Sequence, residues 1–299
     1  MTTLSEEARG VLARGVLCHV AATTRRGPHL TPLVFAVAGD RIWVTTSRGS
    51  TKARAWRADD RVAGLVRDGD SAVTFAGRAA IHDALAPATW VRSALEAPLV
   101  TLATARFTRK NARFFAGYAV DANHVPFAWS PPGRVFVELR LERWALLERS
   151  EVRASTGDWP PATTTSLAGA TPSRGATGDP LAGLPRDLDR AIGERGDGAL
   201  AVAVPSGTVV IPATWVRSRR GVVATTDVAS AALVGDVAAD VPVALEIDRP
   251  SAWRARDMVG VMVRGLARGR TTKTGVSFPI APERLVWWRG WESGTVMAA

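Results

Sequence analysis

The chain has 299 residues, enough for one large or two ordinary domains. Hydrophobic residues make up 46% and charged residues 22%, the balance of a globular chain, which excludes a disordered or fibrous one. The formal charge of +10 would suit nucleic acid, but the cations are scattered, only three of the 38 are lysine, and no recognised module interleaves them with stacking aromatics.

Cys18 is the single cysteine, so no intrachain disulfide forms and a reducing compartment fits. It lies in the apolar run Val16–Val20 and reads as core. The first residues lack a basic, then apolar, leader, and no apolar stretch reaches the length of a membrane span. A cytoplasmic protein with no membrane or nucleic-acid partner is expected.

In chain order, Leu4, Ala8, Val11 and Leu12 recur at helical spacing, with Ser5 placed to cap. Strands are predicted at Val16–Ala22, Leu30–Val37 and Arg41–Thr46, punctuated by Thr24–Gly27 and Gly39–Asp40. A short helix near Thr51–Ala58 precedes strands at Arg61–Arg67 and Ala72–His82. Such antiparallel strands with one helix in the crossover describe a small barrel. Residues 87–132 break the pattern as an insertion with helices at Thr89–Glu96 and Arg106–Tyr118. Its Phe107, Phe114, Phe115 and Tyr118 either pack it onto the barrel or line a ligand. Strands at Arg134–Leu141 and Trp144–Glu148 complete a first domain, 1–149.

Residues 150–183 are rich in Thr, Ser, Gly, Ala and Pro, which reads as a flexible linker. A second domain, 184–299, then repeats the first. Thr31–Thr46 matches Ile211–Thr226, pairing Pro32 with Pro212, Phe35 with Trp215 and Thr45-Thr46 with Thr225-Thr226. Leu4 pairs with Leu184, Ser50 with Ser230 and, after a small insertion, Gly77 with Gly265. Lys52 falls opposite Ala232 and Arg48 opposite Val228, so the second copy is degenerate.

Between the third strand and its helix stands the stretch that carries chemistry. Thr45, Thr46 and Ser47 are followed by Arg48, Gly49, Ser50, Thr51 and Lys52. Hydroxyls, two cations and the unpaired amides of a helix start all favour an anion such as phosphate. The plain alternative is a capped turn with incidental charges. With its flanks, Gly27-Pro-His-Leu-Thr-Pro-Leu-Val-Phe35, Trp43-Val-Thr-Thr46, Ser50-Thr-Lys52 and Asp60-Arg-Val62, the stretch resembles the FMN-binding split-barrel family. That group holds the pyridoxamine-phosphate-oxidase-like proteins and the deazaflavin (F420)-dependent reductases.

The resemblance implies a mainly β fold, two fused split β-barrels forming an intrachain pseudo-dimer. It implies a flavin-dependent oxidoreductase moving hydride to or from a small organic substrate, with FMN as cofactor and F420 as the alternative. Haem stands third, because no residue declares itself an axial ligand. The residues carried over to the cofactor are Pro32, Thr45, Thr46, Ser47, Arg48, Ser50, Thr51 and Lys52, with Trp287 of the second half as a wall. Family members are usually homodimers, so the resemblance implies a monomeric pseudo-dimer or a homodimer. A non-catalytic flavin- or haem-binding regulatory protein is the alternative function. No acid–base set stands out, since a flavin carries its own redox chemistry. His19, His29, His82 and His124 are isolated in sequence and read as structural, so no metal site is expected.

Overall fold

The computed structural model describes every residue except 1, 121–122, 124, 127–132, 161–180, 219–220, 236, 238, 250–253 and 298–299, and the side chains of 118 and 119. His124, most of residues 126–132 at the end of the expected insertion and the middle of the expected linker lie outside the described residues.

The first half begins with α1 (Glu6–Arg14), whose amide of Ala8 donates to Ser5 Oγ at 3.1 Å as the predicted cap. It continues with β1 (Leu17–Thr24), β2 (Gly27–Ala38), β3 (Arg41–Ser47), α2 (Thr51–Ala58), β4 (Arg61–Asp68) and β5 (Ser71–His82). The insertion is α3 (Trp90–Leu95), α4 (Ala97–Lys110) and α5 (Ala112–Val120), followed by β6 (Arg134–Glu148) and β7 (Glu151–Thr156). The second half holds α6 (Arg186–Ile192), β8 (Arg195–Val204), β9 (Gly207–Ser218), β10 (Gly221–Asp227), α7 (Val228–Val234) and β11 (Val241–Arg249). It ends with β12 (Val259–Ala267), β13 (Arg270–Thr271), β14 (Gly275–Arg289) and β15 (Glu292–Met297).

Two closed six-stranded antiparallel barrels result. The first runs β3-β2-β1-β4-β5-β6 and closes by pairing β3 with β6. The second runs β10-β9-β8-β11-β12-β14 and closes through β10 and β14. The topology is the same, and so is the register: Phe35 faces Val44 across β2 and β3, as Trp215 faces Ala224 across β9 and β10. Each barrel also carries one bulge at the expected glycine pair, between Ala76 and Gly77 and between Arg264 and Gly265. The repeat read from scattered identities is therefore a structural duplication.

Two predicted strands, Arg134–Leu141 and Trp144–Glu148, are one. Their polar break at Glu142-Arg143 is the bulge opposite Gly77, which bends β6 without ending it. The first residues of the expected linker are also ordered differently: Glu151–Thr156 pairs with β6 as β7. Backbone pairing to an existing edge suffices where side chains have little to bury.

The barrels meet through their outer faces, β4 against β9 and β11 against β2. A large apolar cluster crosses the contact. Leu30, Ala63 and Leu65 come from the first barrel, and Val210 and Ala244 from the second, each at most 1% exposed. Equivalent strands make equivalent contacts, as across a two-fold axis. Thr74 Oγ1 donates to the carbonyl of Val210, and at the matching place the amide of Leu30 lies 3.1 Å from Met262 Sδ. The insertion clamps the same assembly: Phe107 and Phe114 pack on Leu17, Val34 and Ala36 and reach Ala255 of the second half. Among the described residues no helix is long and apolar enough to cross a membrane.

The bulge glycines give a test of the duplication. A Cβ at Gly77 would fall onto the carbonyl oxygen of Arg140, and one at Gly265 onto that of Ala281. Gly77→Ala and Gly265→Ala should each lower stability by roughly 1–3 kcal/mol in denaturant unfolding. Gly49→Ala, with open space around it, should leave the midpoint nearly unchanged.

Candidate functional site

At the end of β3 the chain turns into α2, and Ser50 caps the helix by accepting from the amide of Ala53 at 3.1 Å. Thr46 Oγ1 lies 3.0 Å from Ser50 Oγ, which ties the strand end to the cap. Thr45 accepts through Oγ1 and its carbonyl from the Arg134 guanidinium at 2.7–3.0 Å, and Ser47 faces Arg134 across β3 and β6. Thr51 opens the helix and is exposed.

Lys52 turns inward from α2 and is only 7% exposed. Its ammonium donates to Thr31 Oγ1 of β2. Burial pulls Lys52 down to about 8, partly offset by the attraction of Glu246 and reinforced by Arg134. His29 on the same strand is pushed down to about 3 by burial and by Lys52, Arg264 and Arg284, so it is neutral at ordinary pH. The corner thus holds two hydrogen-bonded pairs, Lys52 with Thr31 and Thr46 with Ser50, beside the Arg134 guanidinium on Thr45. Among the described residues, Thr31 takes one of the ammonium's three donors.

Of the sequence-predicted residues, Thr46 and Ser50 meet directly, Thr45 holds Arg134, Ser47 pairs with Arg134 across the strands, and Lys52 reaches to Thr31 of β2. Arg48 does not join them: its guanidinium grips buried Asp83 at 2.8–3.0 Å, and Arg57 shares that carboxylate. Pro32 lies beside His19 across β1 and β2, on the outer file facing the second barrel. Trp287 stands in the file of Val261 and Ile247, the core side of the second barrel. Its neighbour Trp288 lies opposite Gly260 and Asp248 and shares the face of Glu246, which meets the first barrel. Thr31 and Arg134 escaped the sequence reading because each is far from the corner in the chain. A Thr two residues past His29 on β2, where strand alternation gives both one face, was the available signal for Thr31.

The second corner differs by chemistry. Asp227, at the place of Ser47, caps α7: its carboxylate accepts from the Ser230 amide at 2.8 Å and from Ser230 Oγ at 3.0 Å. A built-in anion already satisfies this helix start, and Ala232 supplies no cation. A phosphate there would meet repulsion.

At the contact between barrels stands a second polar group. Glu246 of β11 is fully buried, and its Oε2 lies 3.0 Å from His19 Nδ1 of β1. Burial pushes the Glu246 carboxyl up. For His19 burial disfavours the charge, but the Glu246 carboxylate outweighs it and holds the imidazole above 6.5.

Residues 5–125 match the family model described as pyridoxamine 5'-phosphate oxidase. That match lies within the first half, whose fold is a six-stranded split barrel. The second barrel repeats that split-barrel fold in the same chain. Among solved structures, the chain is similar to a pyridoxamine 5'-phosphate oxidase-related, FMN binding protein from Nostoc punctiforme. Identity there is 16%, over 49% of this chain and 85% of that one, with a TM-score of 0.35. It is also similar to an F420 reductase, at 17% identity over 48% of this chain and 98% of that one, TM-score 0.32. A heme binding protein from Mycobacterium smegmatis matches at 17% identity over 52% of this chain and 59% of that one, TM-score 0.36. No curated protein matches the chain.

The depressed Lys52 makes a measurable signature in this split barrel. The unfolded lysine keeps its proton to 10.5, the folded one to about 8. Between those values the unfolded chain binds more protons, so stability should rise with pH. The full shift corresponds to about 3 kcal/mol. Lys52→Met should remove its share of that rise, leaving the share of Lys110, which burial also pulls down to about 8, and should stabilise the ligand-free protein near neutrality, read from thermal unfolding at pH 7, 8.5 and 10. An unchanged pH profile would mean that Lys52 is hydrated in the folded state.

Proposed function

We propose that the chain is a flavin-dependent oxidoreductase that binds one cofactor at the Thr45–Lys52 corner. The supporting observation is Lys52: a buried ammonium held by Thr31 and, among the described residues, joined to no carboxylate by a salt bridge. Burying a charge in this way is unfavourable unless an anion compensates it. FMN is the cofactor this reading assigns, its phosphate held by Lys52, Ser47, Ser50 and the start of α2. Thr45, Thr46 and Arg134 keep that cradle in place, and Arg48, bound to Asp83, braces the turn from outside. Hydride acceptance and donation is the chemistry a bound flavin supplies. The chain's own part is to bind, orient and shield from water, with the second barrel as the far wall. The substrate is a small organic molecule, and the insertion α3–α5 is the element placed to shape its access.

One site per chain follows from the corner chemistry, since Asp227 and Ala232 disqualify the second. In solution the two barrels then act as the intrachain counterpart of a dimer.

Lys52→Ala should weaken FMN binding roughly ten- to a hundredfold, the effect of losing a charge-assisted contact of about 1.5–3 kcal/mol. Titrating FMN and F420 into parent and variant checks this and decides between the cofactors. Equal affinities would remove Lys52 from the site.

A chain cut after Gly157 tests the role of the second half. The exposed face with Leu30, Ala63 and Leu65 should make the fragment self-associate in size-exclusion chromatography and bind FMN weakly. A fragment that binds FMN as tightly as the full chain would sink the single-site pseudo-dimer.

A further inference from the structure

We propose that His19, Glu246 and Asp248 form a binding site for one divalent transition-metal ion, built across the contact between the two barrels. His19 comes from β1, while Glu246 and Asp248 are two residues apart on β11 and project from one face of it. One donor atom from each lies within 4.8 Å of the other two, with His19 Nδ1 and Glu246 Oε2 at 3.0 Å. An ion bound at about 2.0–2.2 Å from nitrogen and carboxylate oxygens is reached by small side-chain movements from that spacing.

Three further observations favour a ligand over a purely structural pair. Glu246 is 0% exposed, and its Oε1 has no hydrogen-bond partner. Asp248 Oδ2 is likewise buried and unpartnered. Polar atoms so placed are rare unless something binds them. The duplication also isolates the cluster. The position of His19 is Ala199 in the second barrel, and those of Glu246 and Asp248 are Leu65 and Arg67 in the first. The same interface therefore closes at its matching place with an alanine and a leucine, so the fold itself does not require a polar pair here.

Charge decides between this cluster and its rival. His82, Glu96 and Glu138 also bring donor atoms together, but Arg41 and Arg140 already neutralise their carboxylates. Glu246 and Asp248 have no arginine or lysine salt bridge among the described residues. Two carboxylates, a neutral imidazole and a dication sum to zero. One imidazole with two carboxylates suits zinc, iron(II), manganese or cobalt more than a soft-ligand metal. The inference stands on other residues than the flavin reading and does not depend on it.

The test uses the full chain, treated with chelator and then titrated with Co2+ and Zn2+. The expected result is one ion per chain by metal analysis after dialysis, visible ligand-field bands with Co2+, and their loss when Zn2+ displaces it. Asp248→Asn, an isosteric change at a half-buried position, should weaken binding at least about tenfold, as should His19→Ala. Glu96→Gln should leave it intact. Circular dichroism of each variant separates lost binding from lost folding. The proposal falls if the folded parent retains no ion. It also falls if folded Asp248→Asn binds like the parent, or if binding is lost with Glu96→Gln instead.

Discussion

Everything in this molecule depends on one apolar contact, the burial of two barrel walls against each other. A closed barrel satisfies its own backbone and fills its interior, and here each barrel carries a second apolar face on the outside. Leu30, Ala63 and Leu65 on one wall and Val210 and Ala244 on the other are all fully buried. Each large apolar side chain so buried contributes about 1.5–3 kcal/mol. Neither wall could face water at that composition without self-association. Because equivalent strands meet, the contact has the geometry of a two-fold dimer, yet it joins two halves of one chain.

On this near-symmetric frame the charges are arranged without symmetry. The first corner offers Lys52, Ser47 and a helix start capped by a hydroxyl. The second replaces these with Ala232, Asp227 and a helix start capped by a carboxylate. The electrostatic sign of the site reverses on three strands whose register is kept residue by residue, while the helix start moves three residues earlier in the second copy, to Val228 at the place of Arg48. His19 and Glu246 break the symmetry again at the contact itself. A polar pair in an apolar contact costs desolvation, but it also admits only one pairing of these faces.

The insertion ties these features together. Phe107 meets Phe136 edge to face at 5.6 Å, and the same small cluster reaches Ala255, Met258 and Trp291. Asn111 Nδ2 donates to the carbonyl of Phe35, and Lys110 to that of Leu12, so α4 is stapled to the barrel it covers. Its aromatics serve packing first. Among the described residues Phe115, 38% exposed, and Trp90, 54% exposed, still face outward.

Local features were legible in the chain itself. The cap at Ser5, the strand runs, the Thr45–Lys52 corner and the glycine pair 77 and 265 all rest on short-range steric and hydrogen-bonding preferences, which sequence spacing records directly. The bulge at Glu142-Arg143 was misread as a strand end because polarity marks both alike. What the tertiary structure alone decided is every meeting of residues distant in the chain: Thr31 with Lys52, Arg134 with Thr45, Asp83 with Arg48, His19 with Glu246. Sequence spacing showed four isolated histidines and no metal-ligand pattern. Closure of the strands into two barrels, and burial of one wall on the other, brought residue 19 to residue 246, because long-range contacts follow from strand order and face, which no local spacing encodes.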